Sequence, residues 1–376
     1  WWENDGHRRL ANNSVAYTEK PDFEAFLNEM QTLYESKSGE RGLFSRVAAQ
    51  KIAARNGRRD PNQDFGTNPC SEIILRSNQF CNLSEIVVRE DDTEETLKAK
   101  AEVAAIIGTL QATLTDFRYL RNIWKKNTEE EALLGVSMTG IMDNALLSTP
   151  NNPETEALLE GVRDVAIATN KKWAKKLGIN QSTAVTAVKP SGTVSQLVDS
   201  ASGIHPRFSK HYIRRVRSDK KDPLAVFMSA AGFPVEDDVM SESSSVFSFP
   251  VKAPETSVTV SDVGAMHQLE LWKMYQNSWC EHKPSITVYY TDSEFLQVAQ
   301  WIWDNFDLCS GISLLPVSEH TYQQAPYEDI NAEQYEELLA SMPKDINWSD
   351  LQYFEQEDNT TGSQELACTG GACEIV

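Results

Sequence analysis

Apolar runs short enough to be buried strands alternate with longer amphipathic runs from residue 134 to residue 315. The run 134–142 is apolar and punctuated by glycine, and the strand-like runs are 184–189, 286–290 and 312–315. The helix-like runs are 153–177, 263–278 and 293–306. Strands that are joined through a helix run parallel within one sheet. The alternation therefore predicts an α/β fold of βα units with a largely parallel sheet and not a sandwich.

The chain divides into three regions by composition. Residues 1–67 are predicted to be a helical lead-in, and residues 68–326 to hold the α/β body, with a less regular insertion near 207–250. Residues 327–376 are predicted to be an acidic helical segment followed by a flexible tail. Ten acidic residues lie between 327 and 358, against Lys344 alone, and residues 359–363 have a linker composition.

The charge balance restricts the partners. The chain has 376 residues, with 35 lysines and arginines against 55 acidic residues, which gives a net charge of −20. Nucleic acids and membrane surfaces are polyanionic, so we expect neither as a general partner. No apolar run reaches the ~18 residues of a membrane span, and residues 1–5 do not resemble a signal peptide. We therefore expect a cytoplasmic protein.

One triplet combines an amide, a thiol and a carboxylate at alternate positions: Asn68, Cys70 and Glu72. In an extended segment such positions share one face, so the triplet could form one wall of a site for hydrogen-atom and proton transfer. A cysteine protease would need a histidine base, and none of the six histidines lies within ten residues of Cys70. The alternative is a buried cysteine with solvated neighbours.

A second candidate site follows the strand-like run at 184–189, where the sequence Pro-Ser-Gly-Thr-Val-Ser leads into a helix. Gly192 allows close approach of a ligand to the backbone, and Ser191 and Thr193 add hydroxyl donors. The free amides of a first helical turn attract anions, so this turn is predicted to bind phosphate. It lacks the Gly-Lys-Ser/Thr of a Walker loop, and an ordinary helix start is the alternative.

The six cysteines fall into two groups. Cys280 and Cys309 stand beside apolar residues and are predicted to be core thiols. Cys368 and Cys373, on the predicted tail, could act as a thiol–disulfide shuttle, unless the tail cysteines are incidental. A four-thiolate zinc site made with Cys70 and Cys81 is a weaker alternative, because zinc ligands usually come as closer pairs.

Two further features have competing interpretations. Arg214, Arg215 and Arg217 could contact cofactor or nucleotide phosphates, but an ion-paired or solvated strand face is the favoured interpretation. His205, in the sequence Gly-Ile-His-Pro, could lie near the active site or could stabilise a loop.

Three of these motifs, in this order, resemble the catalytic chain of ribonucleotide reductases. Residues 68–73 (Asn-Pro-Cys-Ser-Glu-Ile), with Cys-Asn-Leu at 81–83, resemble the finger loop of that family. Residues 190–193, with Gly-Ile-His-Pro-Arg at 203–207, resemble its substrate-phosphate loop, and Cys368-x4-Cys373 resembles its reductant tail. The resemblance implies the C-terminal half of a ten-stranded α/β barrel with a finger loop and a flexible C-terminal tail.

The branch of the family follows from further details. The strand at 311–316 lacks the tyrosine pair of the branch that receives its radical from a second subunit, and Gly192 stands where the iron-dependent branch usually has an acidic residue. Together with residues 279–285 and 324–326, this resembles the adenosylcobalamin-dependent class. The tail sequence is most similar to the monomeric members that reduce ribonucleoside triphosphates. The glycyl-radical class is disfavoured, because its glycyl loop and zinc cysteines are missing.

The resemblance implies a role for each matching residue. Cys70 would become a thiyl radical that takes the ribose 3′ hydrogen, Glu72 would accept the 3′-hydroxyl proton, and Asn68 would hydrogen-bond the substrate. Cys81 would be one of the two thiols that reduce the 2′ carbon. Cys368 and Cys373 would re-reduce the resulting disulfide and be reset by thioredoxin. Substrate phosphates would be held at the turn, by Ser191, Gly192, Thr193 and Val194. No cobalt-ligating histidine motif is present, so no metal ligand is named.

The pattern departs from the family before Asn68, where 67 residues without cysteine stand in place of a longer N-terminal half. That half carries the partner thiol of Cys81 and the allosteric nucleotide site. We therefore expect a chain that is inactive alone and needs a missing N-terminal half, in the same or a separate polypeptide. The alternatives are a large subunit with an external radical source and a non-catalytic half that completes a split enzyme.

Overall fold

The computed structural model describes residues 14–37, 42–317 and 323–356. These residues form two compact units. The larger unit comprises residues 14–206 and 256–317, and the smaller unit comprises residues 207–255 and 323–356. The predicted redox cysteines Cys368 and Cys373 lie outside the described residues.

Helices and strands are numbered along the whole chain. The helices are α1 (Phe23–Ser36), α2 (Arg46–Ala54), α3 (Glu94–Gln111), α4 (Asn122–Glu131), α5 (Pro153–Leu177), α6 (Gly192–Leu197), α7 (Pro223–Ala230), α8 (Ala265–Ser278), α9 (Phe295–Asp304), α10 (Ala332–Ser341) and α11 (Leu351–Phe354). The strands are β1 (Ser14–Tyr17), β2 (Gly42–Ser45), β3 (Gly66–Thr67), β4 (Ile74–Leu75), β5 (Asn82–Val87), β6 (Leu134–Thr139), β7 (His211–Asp219), β8 (Val235–Asp237), β9 (Ser244–Lys252), β10 (Thr287–Tyr290), β11 (Ser313–Pro316) and β12 (Tyr327–Asp329).

Parallel pairing dominates the larger unit, as the alternation of strands and helices predicted. β5 pairs with β6, and β10 pairs with β11, both in parallel. The segment 184–188 connects these pairs through parallel bridges from Thr186 to Val136 and from Val188 to Pro284. In hydrogen-bonding order the parallel series is therefore β5, β6, 184–188, β10 and β11, which is one half of the strand number implied for the barrel.

The strand direction reverses at one edge of this series. Leu43 in β2 forms an antiparallel bridge with Ile312, at the start of β11. The two residues exchange backbone hydrogen bonds, with N···O distances of 2.9 Å and 3.0 Å. β2 continues the arrangement by pairing with β1 in parallel. The larger unit thus contains a parallel pair that runs opposite to the five-membered parallel series.

Helices pack on this series around one continuous apolar core. Trp272, Tyr275 and Trp279, on or next to α8, are fully buried in this core together with Val136 of β6 and Val188. The indole N–H groups of Trp272 and Trp279 donate to backbone oxygens of Pro284 and Ala187, each at 2.8 Å. Large aromatic side chains can be buried in this way because their polar atoms are paired.

The predicted helix at 153–177 is confirmed by α5. Asn152 caps its first turn through an Oδ1 acceptor 3.0 Å from the Glu154 amide, Pro153 begins it, and Gly178 ends it at φ +69°.

The apolar periodicity also predicts a long helical run from Thr93 to about Lys126, with a break near Gly108, and the structure divides that run at a different place. α3 ends at Gln111, and α4 begins only at Asn122. Gly108 does not interrupt α3; instead, it allows the helix to lie close to Leu134, whose Cδ2 would be 3.1 Å from an added Cβ. The helix ends where the Thr113 hydroxyl bonds back to the Leu110 carbonyl, which competes with further helical bonds.

The smaller unit is more regular than the sequence suggested for 207–250. Its four-stranded antiparallel sheet has the order β12, β7, β9, β8, and β7 pairs with β9 over nine residues. The long β7 is polar along most of its length, so the alternation that marks a half-buried strand is weak there. Arg215 and Arg217 of β7 pair with Glu328, at 2.5 Å, and Asp238, at 3.3 Å. The favoured interpretation, an ion-paired strand face, is confirmed for these two arginines.

No helix in the described part of the chain is both long enough and apolar enough to cross a membrane.

Candidate functional site

The segment that carries Asn68, Cys70 and Glu72 is a turn, not an extended strand. The Ser71 amide donates to the Asn68 carbonyl at 2.9 Å, and Ser71 has a φ of 65°. The Asn68 side chain accepts from the Ile73 amide at 3.0 Å. The expectation of an extended segment with three side chains on one face is therefore wrong, because Pro69 and Ser71 form a local turn. Asn68 uses its amide oxygen to hold that turn.

Cys70 lies on this turn with its thiol half-buried. Its carbonyl accepts a hydrogen bond from the Ser285 hydroxyl at 2.6 Å. The backbone that carries the sulfur is therefore held by a residue distant in sequence. The other described cysteines in this unit, apart from Cys81, are buried. Cys280 and Cys309 are only 5% and 3% exposed, and their prediction as core thiols is confirmed.

Glu72 is fully buried, with an exposed fraction of 0%. Its Oε1 lies 3.4 Å from Nζ of Lys189, and its Oε2 is buried without a hydrogen-bond partner. Burial alone would lower the pKa of Lys189, but the charges of Glu72 and its neighbours outweigh burial and raise that pKa. Lys189 therefore stays protonated beside the carboxylate. The free oxygen is a ready acceptor, because an unpaired buried carboxylate oxygen is costly.

Cys81 is half-buried immediately before β5. Burial raises the pKa of its thiol, and the charge of Glu72 raises it further. Gly135, on the neighbouring strand β6, leaves room beside it, since an added Cβ would lie 3.5 Å from Sγ and only 2.5 Å from Cδ2 of Leu83. The sulfur is thus held as a neutral thiol near the carboxylate of Glu72.

The predicted phosphate turn has an unusual backbone. Ser191 and Gly192 have φ values of 68° and 44°, and α6, which follows, has only six residues. An added Cβ on Gly192 would meet nothing within 4 Å, and Thr193 and Val194 are exposed. The outer side of the turn is therefore open to a ligand.

Ser191 is buried, and its hydroxyl donates to Oε2 of Glu85 at 2.8 Å instead of pointing outward. Burial raises the pKa of Glu85, while the hydrogen bond from Ser191 works in the opposite direction. The Ser191 hydroxyl, predicted as a donor to phosphate, thus donates to Glu85 in this structure.

Gly203 and His205, which follow the turn in the sequence, stabilise it. Gly203 has a φ of +59°, and an added Cβ would lie 2.3 Å from the Lys189 carbonyl oxygen. Nδ1 of His205 lies 2.9 Å from the Ser202 carbonyl, and its Nε2 accepts from the Thr287 amide at 3.0 Å. Burial lowers the pKa of His205, so this ring is neutral with the proton on Nδ1. His205 stabilises the loop, which is the second of its two interpretations.

Lys189 brings the two candidate sites together. It directly follows the segment 184–188, and its Nζ contacts Glu72. Ser191 follows two residues later. Its amide donates to Oγ of Ser137 at 2.8 Å, and that hydroxyl donates to Glu85 at 3.4 Å. The sulfur-bearing turn and the phosphate turn are therefore linked through one lysine.

Sequence reasoning missed Lys189, Glu85 and Lys283 as members of this site. Lys189 had one signal, a lone cation at the end of a buried strand. Glu85 and Lys283 had none, because only the tertiary fold brings them to the two turns. In the described ranges, no group of three or more histidine, cysteine, aspartate or glutamate residues is placed to hold a metal.

The comparisons with known proteins agree with this geometry. No family model matches the chain. An adenosylcobalamin-dependent ribonucleoside-triphosphate reductase of Lacticaseibacillus paracasei is 27% identical, over 98% of this chain and 53% of the relative. Proteins of the same name from Lactobacillus delbrueckii subsp. bulgaricus and Lactobacillus leichmannii are 30% and 29% identical, over 82% of this chain and 45% of theirs.

A solved structure of a B12-dependent, class II ribonucleotide reductase matches with a TM-score of 0.74 and 26% identity, over 92% of this chain and 51% of that chain. The chain is therefore similar, over 92–98% of its length, to ribonucleotide reductases that depend on B12. The class Id reductase alpha subunit of Actinobacillus ureae, with a TM-score of 0.53 and 13% identity, shares the fold.

This chain spans about half the length of the curated relatives it matches. The predicted α/β half-barrel is confirmed, since the match extends over nearly all of this chain and half of the class II structure.

Proposed function

We propose that this chain carries the residues for radical and proton transfer in an adenosylcobalamin-dependent ribonucleoside-triphosphate reductase, an enzyme that makes deoxyribonucleotides for DNA synthesis. The observation that carries the proposal is the buried carboxylate of Glu72, with one oxygen near Lys189 and the other without a partner. It lies two residues from the half-buried thiol of Cys70 and is linked through Lys189 to the open turn at 190–194.

The chemistry assigned to each residue follows from its surroundings. Cys70, once oxidised to a thiyl radical, takes the 3′ hydrogen atom of the ribose. The unpaired oxygen of Glu72 accepts the proton of the 3′ hydroxyl, which makes loss of the 2′ hydroxyl easier. Lys189 holds one oxygen of that carboxylate in place. Asn68 shapes the turn with its oxygen, which leaves its amide hydrogens for a substrate hydroxyl.

Adenosylcobalamin, when bound, supplies the radical that starts the reaction, and the protein supplies placement. The residues present fit that requirement. Cys70 carries a half-buried thiol on a turn held by Ser285, whereas Cys280 and Cys309 are buried in the core. A radical from outside the turn can therefore reach Cys70 and neither of the other two.

The substrate phosphates are assigned to the turn formed by Ser191, Gly192, Thr193 and Val194. Its outer side is open, and its backbone bends with two consecutive positive φ values. The amides of Gly192 and Val194 donate to the carbonyls of Pro190 and Ser191 within the turn. We therefore assign the main contact with the anion to the exposed Thr193.

Reduction of the 2′ carbon needs two thiols, and we assign one of them to Cys81. The other thiol would come from a further polypeptide segment, which we place along β5. In the described ranges β5 is paired along one edge only, with β6, and Cys81 immediately precedes it. Helix α3, next to β5, exposes an apolar stripe formed by Val103, Ile107 and Leu110. This is the kind of surface that another part of a barrel would cover.

Two remaining assignments rest on the sequence. Cys368 and Cys373 would re-reduce the disulfide formed by Cys81 and its partner, and thioredoxin or a similar dithiol would then reset them. We also assign the protein to the cytoplasm, where thiols stay reduced. None of the four described cysteines forms a disulfide, which supports this assignment.

The test is a reconstituted reductase in which the chain is combined with the half that its relatives possess. With adenosylcobalamin, a dithiol and a ribonucleoside triphosphate, we expect deoxyribonucleotide formation and loss of the cobalt–carbon absorption band. Cys70→Ser should abolish product formation, and the matched control Cys309→Ser, in the core, should retain it. Deoxyribonucleotide formation at the wild-type rate by Cys70→Ser would overturn the proposal.

A further inference from the structure

Lys283 is the most deeply buried lysine in the described part of the chain, and the mechanism above does not use it. Only 1% of its surface is exposed. Its Nζ donates to Oγ of Ser71 at 2.9 Å, which places an amine against the residue between Cys70 and Glu72. A buried ammonium is costly unless its surroundings compensate for lost water, so its presence calls for a reason.

The segment 283–285 holds the sulfur-bearing turn at three successive residues. The Lys283 amide donates to the Glu72 carbonyl at 3.2 Å, and its side chain donates to Ser71. The Ser285 hydroxyl donates to the Cys70 carbonyl at 2.6 Å. Because 283–285 leads directly into β10, the turn is anchored to the parallel series itself.

The space for Lys283 depends on one glycine. An added Cβ on Gly311 would lie 2.4 Å from Nζ of Lys283 and 2.7 Å from Oγ of Ser71. Any larger residue at 311 would therefore displace both partners of this hydrogen bond. Gly311, just before β11, thus leaves space for the lysine directly against the turn.

Several ionisable groups act on Lys283. Burial lowers its pKa to about 8, and the charge of Glu72 opposes that effect. Burial raises the pKa of both Cys280 and Cys309, so these thiols stay neutral near pH 8. Lys189, on the other side of Glu72, has a raised pKa and stays charged. Lys283 therefore changes its charge near pH 8, where Cys280, Cys309 and Lys189 do not change theirs.

We propose that Lys283 is a positioning residue, which fixes the turn carrying Cys70 through its hydrogen bond to Ser71 and its charge near Glu72. This inference deepens the proposed function and rests on it for its purpose. Its test, however, measures the turn itself and does not require turnover. A failed reductase assay and a failed test of Lys283 can therefore be distinguished.

The first measurement is amide hydrogen exchange of residues 68–75 in the full chain, followed by mass spectrometry. Loss of one buried hydrogen bond should make the turn open more easily, so Lys283→Met and Ser71→Ala should each exchange about fivefold faster. The double variant should exchange no faster than Lys283→Met, because both changes remove the same interaction. The control Lys98→Met removes an exposed lysine on α3 and should leave this segment unchanged.

The second measurement is the rate of Cys70 alkylation by iodoacetamide as a function of pH. Tryptic cleavage after Arg59 and Arg76 gives a peptide in which Cys70 is the only cysteine. In the wild type, the titration of Lys283 should broaden the profile beyond a single ionisation, because two coupled groups titrate together. In Lys283→Met the profile should fit a single ionisation. A lysine that only fills space would leave the shape of the profile unchanged.

The proposal is overturned if Lys283→Met folds and neither exchange nor the alkylation profile differs from the wild type. It is also overturned if the two single variants have additive effects on exchange. Should Lys283→Met fail to fold, Ser71→Ala decides the matter, since it keeps the buried charge and removes only the hydrogen bond. Unchanged exchange in Ser71→Ala would then contradict the proposal.

Discussion

At the scale of one residue, His282 connects the segment that follows the sulfur-bearing turn to the parallel series. Its Nδ1 accepts from the Ile74 amide at 3.3 Å, and its Nε2 lies 3.0 Å from the Leu134 carbonyl. One neutral ring thereby joins β4, which follows the sulfur-bearing turn, to β6. Burial, together with the nearby charge of Arg59, lowers the pKa of His282 to about 3.

The low pKa of His282 predicts a loss of stability in acid. The unfolded chain binds a proton at this histidine below pH ~6.5, while the folded chain does not until pH falls to about 3. Between pH 7 and pH 5 this difference should lower the free energy of unfolding by about 2 kcal/mol. Urea denaturation of the wild type and His282→Gln, whose amide can make both hydrogen bonds, measures it. Equal losses in the two proteins would contradict the prediction.

At this scale the sequence predicted the groups that react but not the groups that hold them. Asn68, Cys70 and Glu72 stand close together in the chain, so a local motif was enough to find them. Lys283 lies more than two hundred residues from Ser71, and its contact depends on the space at Gly311. No local pattern contains that information.

At the scale of elements, two glycines with positive φ have different tasks. Gly178 ends α5 at φ +69°, and an added Cβ there would meet nothing within 4 Å. Gly203 has a φ of +59°, but an added Cβ would lie 2.3 Å from the carbonyl oxygen of Lys189. The first glycine supplies only conformational freedom, whereas the second lets two backbone segments meet beneath the phosphate turn.

This difference predicts unequal costs of substitution by alanine. Gly178→Ala should destabilise the fold by about 1 kcal/mol, the cost of the left-handed conformation alone. Gly203→Ala adds a clash with backbone and should cost about 3 kcal/mol. Chemical denaturation of both variants gives the comparison, and each serves as the control for the other. If the two variants lose the same stability, the close approach at Gly203 does not matter.

Elements were predictable where capping and periodicity agreed, as in α5, and less so where tertiary contacts decide. The residues 184–188 were predicted as a strand and form only bridges to β6 and to Pro284. In the smaller unit, β7 was missed because its polar and charged residues conceal the alternation. Its partner strand β9, nine residues long, is a contact that only the folded chain provides.

On the scale of the whole molecule, an apolar stripe on α3 lies next to the outer edge of β5. Val103, Ile107 and Leu110 follow one another at helical spacing and are 44–56% exposed. The buried face of the same helix, with Ala101 and Ala105, is in the core. A helix with apolar residues on two faces is suited to packing on both sides.

The stripe predicts that the chain on its own self-associates. Ile107→Lys should raise the dissociation constant by about tenfold, because it places a charge in the apolar contact. Light scattering after size-exclusion chromatography, over a range of concentrations, measures the change. Leu296→Lys, at a site on α9 that is 79% exposed, is the matched control and should have no effect. An equal effect of both variants would exclude a specific role for the stripe.

The antiparallel joint between Leu43 and Ile312 bears on how far such a chain can diverge. Its two hydrogen bonds use only main-chain atoms, so they are indifferent to which side chains evolve at these positions. The neighbouring Gly42 does not tolerate substitution in the same way, because an added Cβ would lie 3.1–3.2 Å from Ser14, Ile312 and Ser313. Amino-acid replacement can thus accumulate on either side of the reversal, provided that this one position keeps its small volume.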